Sequence, residues 1–310
     1  MRALFFGTPA IAVPSLEALR GIAEIVGVVC QPDRPAGRGL SLKSPPVKER
    51  ALELGLTVMQ PAKIRTPEFA AWVREADVEV ALVIAYGRIL PPAVLEAPRR
   101  GCLNLHASIL PKYRGAAPIT WAIVHGEPET GISLMAMDEG MDTGPVFSIH
   151  RMPIGAETTA DELALSLGRL AADVVVADLA RAVAGEMSAT AQAHADATTA
   201  PLLDKEHGKI AWSESARRVH DQVRGMTSWP GAFTTAQGKT LKVLESRVGA
   251  EGGDAGPAGT VIAAGKQGIE VACGEGTLRI LRAQAEGRKA LGAAELVGGR
   301  TIAAGMVLGG

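Results

Sequence analysis

The chain is short of aromatic residues, of cysteine and of net charge, and each shortage narrows what it can be. Aromatics make up 4% of the 310 residues, so the core has to be built from the Ala, Val, Leu and Ile that dominate its 47% hydrophobic content. The three cysteines, Cys30, Cys102 and Cys273, are widely spaced and form no CxxC pair. That excludes a disulfide framework and a zinc knuckle, and fits a reducing cytoplasm. No stretch reaches the roughly 18 uninterrupted apolar residues that a membrane span needs, and the first residues lack the apolar core of a signal peptide. Neither GxGxxG nor a GxxxxGK phosphate loop occurs, which leaves dinucleotide and P-loop binding without support. No Ser or Cys lies in a nucleophile elbow, so a covalent acyl-enzyme is not expected. His125, His150, His194, His207 and His220 show no metal spacing and read as surface residues; no metal is expected.

The net charge of −1 gives no bulk signal for nucleic acid. Its distribution says more. Residues 1–205 hold 19 Lys and Arg against 23 Asp and Glu, and residues 206–310 hold 13 against 10. The second part is therefore mildly basic, which is compatible with a polyanionic partner.

Apolar runs and helical stretches alternate through the first half. Strands are expected at 2–6, 22–30, 79–86 and 102–108, with helices at 14–20 and 45–54. Near-continuous apolar strands alternating with helices predict a Rossmann-like α/β domain with a doubly wound, mostly parallel sheet. Ligands then belong beyond the carboxyl ends of the strands. Gly7-Thr8-Pro9, after the first strand, is either such a site loop or a plain turn. Residues 158–184 read as one long amphipathic helix with Leu163, Leu167, Leu170, Val174 and Leu179 on its core face. Periodicity is lost over 190–205, read as a linker between a first domain at 1–189 and a second at 206–310. In the second, a helix at 213–226 precedes five short Gly-separated β runs, which predict a small OB-like antiparallel barrel. Trp229, beside a Pro-Gly turn, reads as a core residue, with stacking on a base as the alternative.

The densest chemistry is Asn104-Leu105-His106-Ala107-Ser108-Ile109-Leu110-Pro111. On a strand, i and i+2 share a face, so Asn104 and His106 aim an amide and an imidazole at one point. Two donors converging there suit the oxyanion formed when an acyl carbon becomes tetrahedral, and each is worth about 3 kcal/mol in the transition state. The bland alternative is a polar pair that satisfies loop backbone. Downstream lies Met137-Asp138-Glu139-Gly140-Met141-Asp142-Thr143-Gly144, where Asp142 either fixes the tautomer of His106, relays a proton through water, or caps a turn. Asp138 competes for the same role. Arg114 reads as a brace for the loop backbone. Residues 34–50 carry Arg34, Arg38, Lys43, Lys48 and Arg50 against Glu49 alone, and with their glycines and Pro35 read as a mobile basic loop suited to phosphate.

Taken together, Asn-x-His-x-Ser-x-Leu-Pro, Tyr113-Arg114-Gly115-Ala116-Ala117-Pro118 and Met-Asp-x-Gly-Met-Asp-Thr-Gly resemble the formyltransferase family that uses 10-formyltetrahydrofolate. The resemblance to the branch acting on methionyl-tRNA runs almost the whole chain, through Gln31-Pro32-Asp33-Arg34-Pro35-Ala36-Gly37-Arg38-Gly39, Lys209-Ile210-Ala211-Trp212 and Trp229-Pro230-Gly231-Ala232-Phe233. It implies Asn104, His106 and Asp142 as the catalytic set and Ser108, Ile109, Leu110 and Pro111 as lining for the folate. It implies that Arg34, Arg38 and Lys43 meet the acceptor stem of a tRNA, Arg38 foremost. The implied partners are initiator methionyl-tRNA and 10-formyltetrahydrofolate as co-substrate, with no metal. The implied product is N-formylmethionyl-tRNA for translation initiation, made by a cytoplasmic monomer whose second domain binds the tRNA. A small amine acceptor is the alternative.

Overall fold

A computed structural model describes residues 1–36 and 41–309. The chain divides into two compact units, one of residues 1–118, 129–152 and 164–201, the other of 119–128, 153–163 and 202–310.

The first unit opens with β1 (Arg2–Gly7), α1 (Val13–Ile22) and β2 (Glu24–Val29). A hairpin of β3 (Arg34–Ala36) and β4 (Ser41–Lys43) follows, then α2 (Pro46–Glu53), β5 (Val58–Met59) and α3 (Pro67–Glu75). Next come β6 (Val80–Ile84), α4 (Pro92–Leu95), β7 (Cys102–His106) and the short β8 (Arg114–Gly115). After α5 (Pro118–Val124), β9 (Glu129–Ala136) and β10 (Val146–Pro153) complete the main sheet.

That sheet has the order β10-β9-β7-β6-β1-β2-β5. Strands β5, β2, β1, β6 and β7 are parallel and β9 runs antiparallel to β7. The order reverses between β1 and β6, so their carboxyl ends form the switch-point crevice where such sheets bind ligands. Every residue of β6 and β7 is buried, as are five of the six in β1, which is why these strands read as unbroken apolar runs. Leu4, Phe6, Val29, Phe69, Val73 and Val83 form the core of one face. Thr66 starts α3 by accepting from the Phe69 amide at 3.2 Å, with Pro67 at the first helical position.

One expectation needs correction here. Part of the stretch at 34–50 read as a mobile loop is regular, since β3 and β4 pair antiparallel, while α2, from Pro46, is the helix expected over 45–54. The expected long helix is present: α6 (Ala160–Val174) runs without a break through a π turn over Val175–Leu179 into α7 (Ala180–Ala184), ended by Gly185 in the left-handed conformation. Leu163, Leu167, Val174 and Leu179 are buried as expected, and Leu170 is half-buried. Residues 190–201 are tied down: Thr190 bridges Val146, and β11 (Thr199–Ala200) pairs with β8.

In the second unit α8 (Ala216–Gly225), capped by Ser215, packs on a six-stranded antiparallel sheet. Its strands are β12 (Phe233–Ala236), β13 (Lys239–Val248), β14 (Val261–Gly265), β15 (Gly268–Ala272), β16 (Thr277–Ala285) and β17 (Leu291–Gly292). The first five are the five expected runs; β17, followed by α9 (Ala293–Gly298), is additional. Trp212, Val219, Val223, Leu241, Val271 and Leu278 lie in its core. Residues 119–128 and 153–163 belong to this unit because Arg218 donates to the Val124 carbonyl and Arg224 to those of Gly155 and Thr158.

Four single-residue expectations fail, among them that for His207, which is half-buried with its ring 5.0 Å from that of Trp121. Trp229 is 58% exposed, not core. His220 is buried against Ser246, at 3.0 Å from its hydroxyl, rather than on the surface. His150 is half-buried because the buried carboxylate of Asp178, in the π turn, takes its ring nitrogen as partner at 2.7 Å.

Candidate active site

β7 ends at the carboxyl edge of the sheet and carries Asn104 and His106 on one face, both buried. The strand is held between β6 and β9, so neither side chain can swing far. The loop after β9 brings Asp142 to them. Its Oδ1 lies 3.4 Å from Asn104 Nδ2 and 3.5 Å from His106 Nδ1. The three expected catalytic residues therefore converge.

What holds them is mostly backbone. Asp142 has φ 55°, a left-handed conformation that aspartate tolerates better than most residues. Its Oδ2 accepts from the Gly115 amide at 2.9 Å. Gly115 has φ 125°, and a Cβ there would lie 2.6 Å from the Ala200 carbonyl oxygen, so only glycine fits. Gln192 donates to the carbonyls of Asp142 at 2.9 Å and Gly144 at 2.7 Å, fixing the loop from behind. Arg114 holds Gln192 in turn, donating to its Oε1 at 3.1 and 2.8 Å, which is the bracing role expected of it.

His106 Nε2 is 2.9 Å from the carbonyl oxygen of Tyr113. A carbonyl only accepts, so Nε2 carries the proton. In the neutral ring Nδ1 then has its lone pair toward Asp142. Tyr113, in turn, donates its amide to Thr198 Oγ1 at 2.9 Å.

Asp138 accepts from the Gly140 amide at 3.0 Å and from Thr143 Oγ1 at 2.6 Å. It closes the turn and has no contact with the His106 ring. Ser108 is fully buried and donates to the Lys112 carbonyl at 2.6 Å, while Ser133 bridges its carbonyl to the Leu110 amide. Leu110 is buried; Ile109 and Pro111 are half-buried. None of these four lines either of the two open hollows found among the described residues of this unit at 62–93. The first, about 460 Å³, is bounded by residues 62–65 with Arg88 and Ile89. The second, about 570 Å³, runs from Arg65 to Pro67 and from Ile89 to Ala93, and is closed by Glu139. Glu139 belongs to the loop of Asp142, though none of the trio itself lines the second hollow. Sequence reading missed Arg65, Ile89, Leu90 and Glu139, and only Glu139 lay in a motif that could have indicated it.

At the switch point Thr8 Oγ1 and Gln31 Nε2 both donate to the Tyr86 carbonyl, each at 3.1 Å, which makes the Gly7-Thr8-Pro9 turn part of the crevice wall. Of the basic residues, Arg34 and Lys43 stand opposite one another in the hairpin and are exposed. Arg38 lies outside the described residues. Among the described residues no cluster of three His, Cys, Asp or Glu could hold a metal, and no helix is long and apolar enough to cross a membrane.

The sequence profile of formyl transferase matches residues 1–179, and that of the formyl transferase C-terminal domain matches 202–301. A methionyl-tRNA formyltransferase of Sorangium cellulosum is 71% identical over 310 residues, covering 100% of both chains. One of Myxococcus xanthus is 47% identical over 304 residues, covering 98% of this chain and 96% of that one. Among solved structures, an N-formyltransferase from Helicobacter canadensis in complex with folinic acid and dTDP-3-aminofucose superimposes with a TM-score of 0.68. It is 18% identical, over 91% of this chain and 98% of that one. A methionyl-tRNA formyltransferase from Clostridium thermocellum gives a TM-score of 0.55 at 17% identity, over 80% and 94%. At such identities the structural likeness speaks for the fold alone.

Proposed function

The chain belongs to the formyl transferase family, and from that premise we propose that it moves a formyl group from 10-formyltetrahydrofolate to the amino group of methionyl-tRNA. The observation that carries the choice of acceptor is 71% identity, end to end, with a relative of that name. Residues 1–189 serve as the catalytic domain and residues 206–310, mildly basic, as the tRNA-binding one.

The chemistry follows from the trio. The neutral amine attacks the formyl carbon; a free α-amino group titrates near about 7.7, so no strong base is needed to expose its lone pair. Attack opens the C=O bond to an oxyanion, and the attacking nitrogen becomes an ammonium. Asn104 donates to the oxyanion through the Nδ2 hydrogen that is not directed at Asp142. The ammonium proton passes to the Asp142–Nδ1 pair, which meanwhile holds His106 as an imidazolium that also faces the oxyanion. The same proton then goes to N10 of the folate as the C–N10 bond breaks. One proton has moved from amine to N10, and nothing else is consumed. The second hollow, with apolar walls and Arg65 at its rim, is the place we assign to the folate. Arg34, Arg38 and Lys43 contact the acceptor stem as phosphate-binding cations.

Incubation with formyl-labelled 10-formyltetrahydrofolate and methionyl-tRNA tests the whole reading. Label in N-formylmethionyl-tRNA is the expected outcome. Label in free formate, or only in a small amine, would overturn it.

A further inference from the structure

The basic hairpin is a poor structure on its own. Its strands are three residues each, and the register sets Arg34 opposite Lys43 and Pro35 opposite Leu42. Like charges directly opposite repel, proline removes a ladder donor, and an isolated two-stranded ribbon is marginal in water. Leu42 is 72% exposed and adds little apolar burial. Something at its base has to hold it.

Asp33 immediately precedes β3, and Ser44 immediately follows β4. Asp33 Oδ1 accepts from Lys48 Nζ at 2.9 Å and from Gln60 Nε2 at 2.7 Å. Its Oδ2 accepts from Lys48 Nζ at 2.7 Å and from Ser44 Oγ at 3.4 Å. A single carboxylate thus joins the strand entering the hairpin, the strand leaving it, α2 and the segment after β5. Gln60 also donates to the Gln31 carbonyl at 2.9 Å, and the Gln31 side chain accepts from Arg88 and donates to the Tyr86 carbonyl. The base of the hairpin is anchored through these bonds on the carboxyl ends of the sheet. Bonds from Gln60 and Lys48 hold the Asp33 carboxyl below the ordinary carboxylate range, so it is ionised at neutral pH.

We infer that Asp33 is a positioning residue: it clamps the hairpin so that Arg34 and Lys43 are presented in a fixed geometry to the charged tRNA. This rests on the reading of the chain as a formyltransferase acting on methionyl-tRNA. The inference predicts a sign that simple electrostatics does not. Removing a negative charge beside a phosphate-binding element should tighten a polyanion, whereas removing a clamp should weaken its binding.

Steady-state formylation of methionyl-tRNA by the wild type and by Asp33→Ala, Asp33→Asn and Gln60→Leu, with thermal unfolding in parallel, distinguishes the two. Asp33→Ala is expected to raise KM for the tRNA about tenfold, with kcat and KM for the folate within about twofold. Gln60→Leu changes no charge and is expected to raise the same KM to a smaller extent. Asp33→Asn keeps an acceptor for Gln60 and is expected to recover part of the loss. An unchanged or lower KM in Asp33→Ala, or a fall in kcat at constant KM, overturns the clamp. Wild-type formylation is the control on which the underlying reading stands. Hydrogen exchange at the amides of residues 41–43 reads the clamp without any acceptor: faster exchange in Asp33→Ala and Gln60→Leu supports it, and unchanged exchange overturns it.

Discussion

His106 places Nε2 2.9 Å from the Tyr113 carbonyl oxygen, which leaves Nδ1 as the ring atom free to exchange a proton, 3.5 Å from Asp142. The direction of the proton path follows from that one contact. Because Nε2 is committed to a backbone acceptor, Tyr113 orients the ring, and in the proposed mechanism the proton that charges it arrives by way of Asp142.

Replacing Asn104 or His106 by alanine is therefore expected to lower kcat by about 10²-fold or more, since the first removes a donor to the oxyanion and the second the positive charge that faces it as it forms. KM for methionyl-tRNA should stay close to the wild-type value. Single-turnover label transfer measures the chemical step directly; near-normal turnover in either variant would remove that residue from the mechanism.

Asp142→Asn is the sharper substitution. The amide keeps an oxygen for the Gly115 amide, which holds the loop, and offers a hydrogen to His106 Nδ1, at the loss of the 3.4 Å bond from Asn104 Nδ2. The site would then have a satisfied hydrogen bond where it needs a vacancy for a proton. A loss of about 10²-fold in kcat is expected, with thermal stability near that of the wild type. Equal losses in kcat and in stability would mean that Asp142 is a loop brace only.

Gly115→Ala tests the support rather than the chemistry. At φ 125° an L side chain is strained, and the added methyl would meet the Ala200 carbonyl oxygen. The left-handed conformation alone costs about 1–2 kcal/mol, which lowers Tm by several degrees. Because the Gly115 amide also holds Asp142 Oδ2, kcat should fall with it. Calorimetry and turnover on the same sample separate this from the Asp142→Asn outcome.

Much of this site is visible in the sequence, and what is not visible has a physical reason. β1, β6 and β7 are buried on both faces, so burial shows as unbroken apolar runs, and Asn104 and His106 stand out in one of them as a polar pair at i and i+2. The partners that orient the trio leave no such mark. Tyr113 and Gly115 act through a carbonyl and an amide that every residue type carries. Gln192 lies 50 residues from Asp142 in a stretch whose Ala, Thr and Asp content reads as a linker. For Trp229 and His220 the sequence offers only what single residues of their type usually do, and contacts distant in sequence decide otherwise. The short β3 and β4 escape notice because Arg34 and Lys43 give them no apolar alternation.

The thiols provide a check on the core. Burial pushes Cys30 up to about 11, Cys102 up to about 12 and Cys273 up to about 11. Thiolate is the reactive form, so at pH 8 all three should resist iodoacetamide in the native protein and react fully once it is unfolded. Rapid labelling of a native cysteine would show that its surroundings open to solvent.

His220 supplies a pH dependence whose sign can be worked out. Burial lowers its pKa, against the raising influence of Glu157 and Asp221 and with Arg224 also lowering it. The folded protein therefore keeps the ring neutral at a pH where the unfolded chain, with an ordinary value of about 6.5, already binds a proton. The unfolded state binds more protons, so stability rises with pH across that window and falls as the pH drops through the unfolded value toward the folded one. Tm should decline from pH 7 to pH 5 more steeply in the wild type than in His220→Gln, whose amide can still reach the Ser246 hydroxyl. Part of the decline has other sources, because carboxylates such as Asp178, held low by its bond from His150 despite burial, also lose stabilisation in acid. The comparison between wild type and variant isolates the histidine. Parallel Tm curves from pH 7 to pH 5 would show that the ring at position 220 titrates alike in the folded and unfolded chains.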